Sequence, residues 1–114
     1  QSSSKDMIFE IIMARLDILN VHRKSILNLE KYFKSNPQDL IPVLPNFIES
    51  MISMLTIAGI NVNGVKGIPK IKTLMILYLL ILFTWKNDNS ENLEKTMTTL
   101  DNYLSNIDRL IRFF

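Results

Sequence analysis

The thirteen residues from Thr73 to Trp85, TLMILYLLILFTW, constrain this chain more than any other stretch. On a helical wheel one arc holds Ile71, Leu74, Met75, Tyr78, Ile81, Leu82 and Trp85. The opposite side still holds Ile76, Leu80 and Phe83. Lys72 and Lys86 mark one narrow polar edge, and Thr73 and Thr84 the other. A helix on a domain surface needs a single apolar stripe, so hydrophobicity all round demands burial on two sides. Three settings meet that demand: a bilayer, the centre of a small domain, or a helix shared between its own core and a second subunit.

Length argues against the bilayer. Thirteen helical residues reach about 20 Å, against a hydrocarbon core of about 30 Å. Lys70 and Lys72 precede the run and Lys86 and Asp88 follow it, so no membrane span is expected. The two remaining settings depend on the rest of the chain. Its 114 residues fit one domain that can bury a core without metals or disulfides.

Strand signals are nearly absent, and the spacing predicts an all-α domain of about five helices. Ser3 or Ser4 can cap a first helix running to about Asn20, with Ile8, Ile12, Leu16 and Leu19 inward and Phe9 and Met13 beside them. A second covers about His22 to Ser35, with Ile26, Leu29 and Phe33 inward, and Asn36-Pro37 ends it. Pro42 and Pro45 break the next segment, so a cleaner third helix runs from about Pro45 to Ala58, stopped by Gly59. Asn63-Gly64 reads as a turn. The fourth helix begins near Ile68-Pro69. The fifth follows KNDNS, where Asp88 and Glu91 have capping-box spacing.

The fifth helix carries the cleanest pattern. Leu93, Met97, Leu100, Leu104, Ile107, Ile111 and Phe114 step by four and three along a seam, with Glu94, Asp101 and Asp108 on its flank. A central helix is hard to enclose at this chain length. The favoured expectation is therefore an intersubunit four-helix bundle built by the last two helices of each copy. Its interface would use Ile76, Leu80, Phe83, Leu93, Met97, Leu100, Leu104, Ile107 and Ile111. A single-chain core around the fourth helix is the alternative.

Chemistry is thinly represented. Cysteine is absent, which excludes disulfides and thiolate sites and fits a reducing, cytoplasmic setting. His22 is the sole histidine, so neither a histidine metal cluster nor a catalytic triad is supported. Asp6 and Glu10 share a solvated helix face, which offers no apolar setting for acid–base work. Gly64 and Gly67 lack phosphate-loop spacing. No enzyme activity and no cofactor are expected. The net charge of +2 is spread too thinly to hold DNA. Among six methionines, Met51, Met54 and Met75 could line an apolar ligand pocket with Phe47 and Tyr78, although plain core filling is the simpler reading.

Two long segments, KDMIFEIIMARLDILNVHRKSI and SMISMLTIAGINVNGVKGIPKIKTLMILYLLILFTWKNDNSENLEKTMTTLDNYL, resemble the C-terminal regulatory domain of TetR-type transcriptional regulators. The likeness is strongest to an alphaproteobacterial branch related to a lipid-binding accessory protein of ubiquinone biosynthesis. It rests on MARLD with His22-Arg23, on Ala58-Gly59-Ile60, and on Trp85-x-x-Asp88-x-Ser90 leading to Thr96-Met97-x-x-Leu100-Asp101. The resemblance implies a homodimer through the last two helices and a small apolar effector or lipid. It also implies that DNA is recognised only through an N-terminal helix-turn-helix domain absent from this chain. A start at Gln1 agrees with that expectation. A lipid- or isoprenoid-handling module and a ligand-free association domain stay open beside it.

Overall fold

A computed structural model describes residues 3–111, with side chains as far as residue 108. Five helices follow in order: α1 (Ser4–Val21), α2 (Arg23–Ser35), α3 (Leu44–Ile57), α4 (Gly67–Lys86) and α5 (Glu94–Ile111). Two 3-10 segments, Pro37–Val43 and Glu91–Leu93, precede α3 and α5, and no strand occurs among the described residues. The fold class is all-α, as the spacing predicts.

Each boundary has a local cause. The Ser3 hydroxyl accepts from the Asp6 amide at 3.1 Å and starts α1. The chain turns directly from α1 into α2 at His22, whose amide bonds Leu19 and whose carbonyl accepts from Ile26, both at 3.0 Å. Pro42 lies inside the first 3-10 turn, and Pro45 sits in the opening turn of α3, where a missing N–H costs nothing. Gly59 takes a φ of +80°, and the Ile60 amide reaches back to the Leu55 carbonyl at 2.9 Å, closing α3 with the left-handed stop.

α1 and α4 form the heart of the bundle. α4 packs on α3, α5 and α1, while α1 packs on α3, α5 and α2. The core is Ile8, Ile12 and Leu16 of α1, Met51, Met54 and Leu55 of α3, Leu74, Leu77, Tyr78, Ile81 and Trp85 of α4, and Leu93, Leu100 and Leu104 at and after the second turn. The body measures 36 × 34 × 22 Å. α4 is not enclosed in it: Ile76, Leu79, Leu80 and Phe83 are exposed.

Two expectations need correction. Leu29 is exposed; in α2 the half-buried apolar residues are Ile26, Leu27 and Phe33, because this helix lies along the edge of the body with no residue fully buried. The length argument on Thr73–Trp85 does not extend to the whole of α4, which is 20 residues long. Pro37–Ile57 and Gly67–Lys86 both have the length and apolar composition of a bilayer-crossing segment. α4, however, gives one full side to the chain's own core.

Candidate functional site

The side of α4 facing away from the core is apolar and bare. Ile76, Leu79, Leu80 and Phe83 are 60, 56, 48 and 63 % exposed. Their spacing of three, one and three places them on one stripe across two turns. The inward side, Leu74, Leu77, Tyr78, Ile81 and Trp85, is buried. The helix is thus divided lengthwise, with half in the core and half in the open.

Polar groups bordering the stripe make no demand on solvent. Thr73 Oγ1 donates to the Pro69 carbonyl at 2.7 Å, and Thr84 Oγ1 to the Leu80 carbonyl at 3.2 Å. Asn87 Nδ2 donates to the Phe83 carbonyl at 3.1 Å. These local bonds occupy the hydroxyls and amide and leave a face held together by dispersion and burial alone. Lys86 Nζ lies 5.2 Å from the centre of the Phe83 ring and 2.8 Å from Glu30 Oε2. That contact with Lys86, with a smaller coulombic contribution from Lys34, lowers the Glu30 pKa.

Grooves run along both sides of the stripe. Towards α5 a cleft of about 270 Å³ is walled by Ile76, Leu77, Leu80, Tyr103 and Ile107. Towards α2 a larger groove of about 540 Å³ is lined by Ile26, Leu27, Phe33, Leu40, Leu79, Leu82 and Phe83, with Glu30, Lys34 and Lys86 at its polar border. A shallow polar basin of about 680 Å³ lies where α4 ends and α5 begins, between Phe83, Asn87, Glu94 and Thr98.

Two joints hold this face in place. Arg23 Nη2 donates to the carbonyls of Trp85 and Lys86, occupying the open C-terminal end of α4. At the other joint the buried Asp88 carboxylate accepts from the amides of Ser90 and Thr96, each at 2.8 Å, and from both hydroxyls. Burial works to raise the Asp88 pKa, but these four hydrogen bonds outweigh it and hold the carboxyl well below the usual carboxylate range. Asp88 therefore ties the loop to the first turn of α5 directly. The spacing of Asp88 and Glu91 had suggested a reciprocal capping box; instead Asn92 and Leu93 take left-handed φ values of 55°, and α5 starts at Glu94.

The expected interface residues divide into two groups. Ile76, Leu80, Phe83 and Met97 face outward, whereas Leu93, Leu100 and Leu104 are buried in the chain's own core and are not available to a second subunit. Ile107 is half-buried against that core. The side chain of Ile111, and Phe114, lie outside the described residues. Leu93, Leu100 and Leu104 of the expected seam pack within the chain, where α5 lies against α1 and α4. Leu79 was missed: the wheel at 100° per residue assigned it to neither arc, although it is one step from Leu80.

The five residues expected around a ligand pocket do come together, as packing. Met51 and Met54 are fully buried, Tyr78 nearly so, and Phe47 and Met75 pack against them. The Phe47 and Tyr78 rings meet at 5.9 Å. None of the five lines the three grooves described above. Among the described residues, no group of three histidine, cysteine or carboxylate side chains could hold a metal ion.

The fold and this face define a small all-α bundle that presents one uncharged helical surface. No protein-family model matches the chain, and neither does any curated protein or solved structure.

Proposed function

We propose that the chain is a homodimerising regulatory domain, in which two copies meet through the outward face of α4. The observation that carries this reading is the stripe Ile76, Leu79, Leu80 and Phe83, exposed on a helix whose other side is core. The four side chains expose roughly 400 Å², already a large patch for a monomer. The α5-side cleft extends the face towards Tyr103 and Ile107, and the roughly 800 Å² per partner of a stable interface would draw on residues flanking the stripe as well. The stripe is self-complementary. An antiparallel pair of α4 helices centred between Leu79 and Leu80 sets Phe83 of one copy against Ile76 of the other, and no charge is buried.

The resemblance to TetR-type regulators supports a place for this dimer in transcriptional control, with DNA contacted by an upstream helix-turn-helix. An apolar effector fits the groove between α2 and α4 better than the packed methionines. That groove shares Leu79 and Phe83 with the dimer face, so an occupant would bias how two copies sit together.

Sedimentation velocity at micromolar concentration tests the dimer. The expected result is a species of twice the chain mass, reduced to monomer by Leu80→Asp with helicity unchanged. A wild-type monomer overturns the reading. Reading the upstream coding sequence for a helix-turn-helix tests the regulatory assignment separately.

A further inference from the structure

The loop between α3 and α4 carries the chain's single Asn-Gly pair, Asn63-Gly64. Both residues are exposed and lie outside the helices. The loop is fastened on either side of their shared peptide. The Asn63 amide donates to Asn61 Oδ1 at 2.9 Å, and the Gly67 amide donates to the Gly64 carbonyl at 3.2 Å. Between these bonds, the Asn63 side-chain amide and the Gly64 N–H have no hydrogen-bond partner among the described residues. Gly64 takes a φ of +72°, and no atom stands within 4 Å of the place a Cβ would fill. Its main-chain nitrogen is therefore open to the side chain that precedes it.

Asparagine is a chemically labile residue, and its lability depends on the amide that follows it. We propose that Asn63 is a site of intramolecular deamidation, converting through a succinimide to isoaspartate and aspartate. The Gly64 nitrogen loses its proton and bonds to Asn63 Cγ, the Cγ–Nδ2 bond breaks, and Nδ2 leaves as ammonia. Water then opens the five-membered ring. Addition at the Asn63 main-chain carbonyl carbon leaves the chain running through Cβ and Cγ, which is isoaspartate. Addition at Cγ restores the ordinary main chain as aspartate. Water is the only co-reactant.

Other asparagines lack this opening. Asn89 also precedes a small residue, but the Ser90 amide donates to Asp88 Oδ1 at 2.8 Å and is not free to attack. The Asp88 amide, after Asn87, is held by the Trp85 carbonyl at 3.0 Å. Asn61 precedes the branched Val62, and most of the rest lie within helices.

The product puts negative charge where the chain has none. From Ser50 to Asn87 there is no acidic residue, while Lys66, Lys70, Lys72 and Lys86 all fall there. α4 begins at Gly67 with no side-chain cap and no acid in its first turn. A carboxylate at position 63 falls just ahead of that open end, where the helix dipole favours negative charge. Val62 and Gly67 stay in close main-chain contact on either side. The longer isoaspartyl link is taken up by the exposed residues 64–66, and the body stays folded.

Incubation of the folded chain for several days at neutral pH and physiological temperature, followed by mass-spectrometric peptide mapping, tests the proposal. Conversion at Asn63 should exceed that at Asn89 by about tenfold or more. Isoaspartyl methyltransferase with labelled S-adenosylmethionine should mark the peptide holding residue 63, with circular dichroism unchanged. Asn63→Gln, whose ring would need six members, and Gly64→Ala should each lower that label by about tenfold or more. A folded wild type that keeps its Asn63 amide overturns the proposal, as does conversion confined to urea-unfolded chain. Equal labelling of wild type and Asn63→Gln places the reactive asparagine elsewhere and overturns it too.

Discussion

Arg23 lies over the indole of Trp85, its guanidinium carbon 4.7 Å from the ring centre, while its Nη2 donates to the Trp85 carbonyl at 2.9 Å and the Lys86 carbonyl at 2.7 Å. Asn20 completes the arrangement, its Oδ1 accepting from Arg23 Nη1 at 2.9 Å and from Trp85 Nε1 at 3.1 Å. The first residue of α2 thus stops α4 and locks the buried tryptophan against the end of α1.

Removing this guanidinium should be costly for a half-exposed residue. Arg23→Ala loses two charge-assisted hydrogen bonds to the C-terminal end of α4 and the stacking on Trp85, and is expected to cost about 2–3 kcal/mol in urea unfolding. Arg23→Lys should recover less than half of that. A single ammonium cannot serve two carbonyls, Asn20 and the ring face at once. A lysine variant as stable as wild-type would contradict this geometry.

Asp88 gives the fold an acid limit. Its folded-state pKa lies below the ordinary value of 3.8, so its stabilisation is complete above about pH 5 and starts to fall as the unfolded chain takes up a proton near that ordinary value. The loss continues until the pH passes the depressed folded value. Asp88→Asn should cost roughly 2 kcal/mol at neutral pH, because its amide nitrogen would face the Thr96 N–H and hydroxyl. Its stability should also vary less than that of wild-type between about pH 5 and pH 2. Parallel acid dependence in the two proteins would place the titrating group elsewhere.

Gly67 makes a prediction of a steric kind. A Cβ there would stand 2.0 Å from the Val62 carbonyl oxygen and 2.7 Å from its Cα. Both are main-chain atoms, so neither can swing aside, and Gly67→Ala must push the Asn61–Gly64 loop off the start of α4. We expect a loss of about 2 kcal/mol or more. Gly64→Ala tests the opposite situation. No atom lies near its Cβ, but its φ of +72° disfavours a side chain, so a cost of only about 1 kcal/mol is expected. Thermal unfolding of the two variants should rank them in that order.

Most helices were legible because their limits are local. Ser3, Asn36-Pro37, Pro45, Gly59 and the apolar period of α1 each act within a turn of the residue they govern. The two-sided character of α4 was legible for the same reason, since period and composition reveal a helix with more apolar surface than one core contact needs. The partner of the α5 seam was not. A period of four and three says that a face is buried, and it carries no information on whether the burying helix belongs to the same chain. Nor could the sequence alone reveal that Asp88 would reach Thr96, or that Arg23 would meet Trp85, 62 positions away in the chain. Methionine spacing likewise cannot separate a packed cluster from a lined cavity; Met51 and Met54 resolve as packing only when their neighbours are in place.

The division between α4 and α5 yields a last prediction that separates core from interface. Leu100 is fully buried among residues of its own chain, so Leu100→Ala should cost about 3 kcal/mol. That cost belongs to the fold of each copy. Phe83 is exposed within one copy, and Phe83→Ala should cost almost nothing in a monomer. If two copies meet through α4, the wild-type urea midpoint rises with concentration, for example from about 2 µM to about 100 µM chain, because dilution favours the separated state. Phe83→Ala should flatten that rise, while Leu100→Ala should lower the midpoint at both concentrations and keep the rise. A concentration-independent wild-type midpoint would overturn the dimer itself, and a flattened rise in Leu100→Ala with a normal one in Phe83→Ala would move the association surface from α4 to α5.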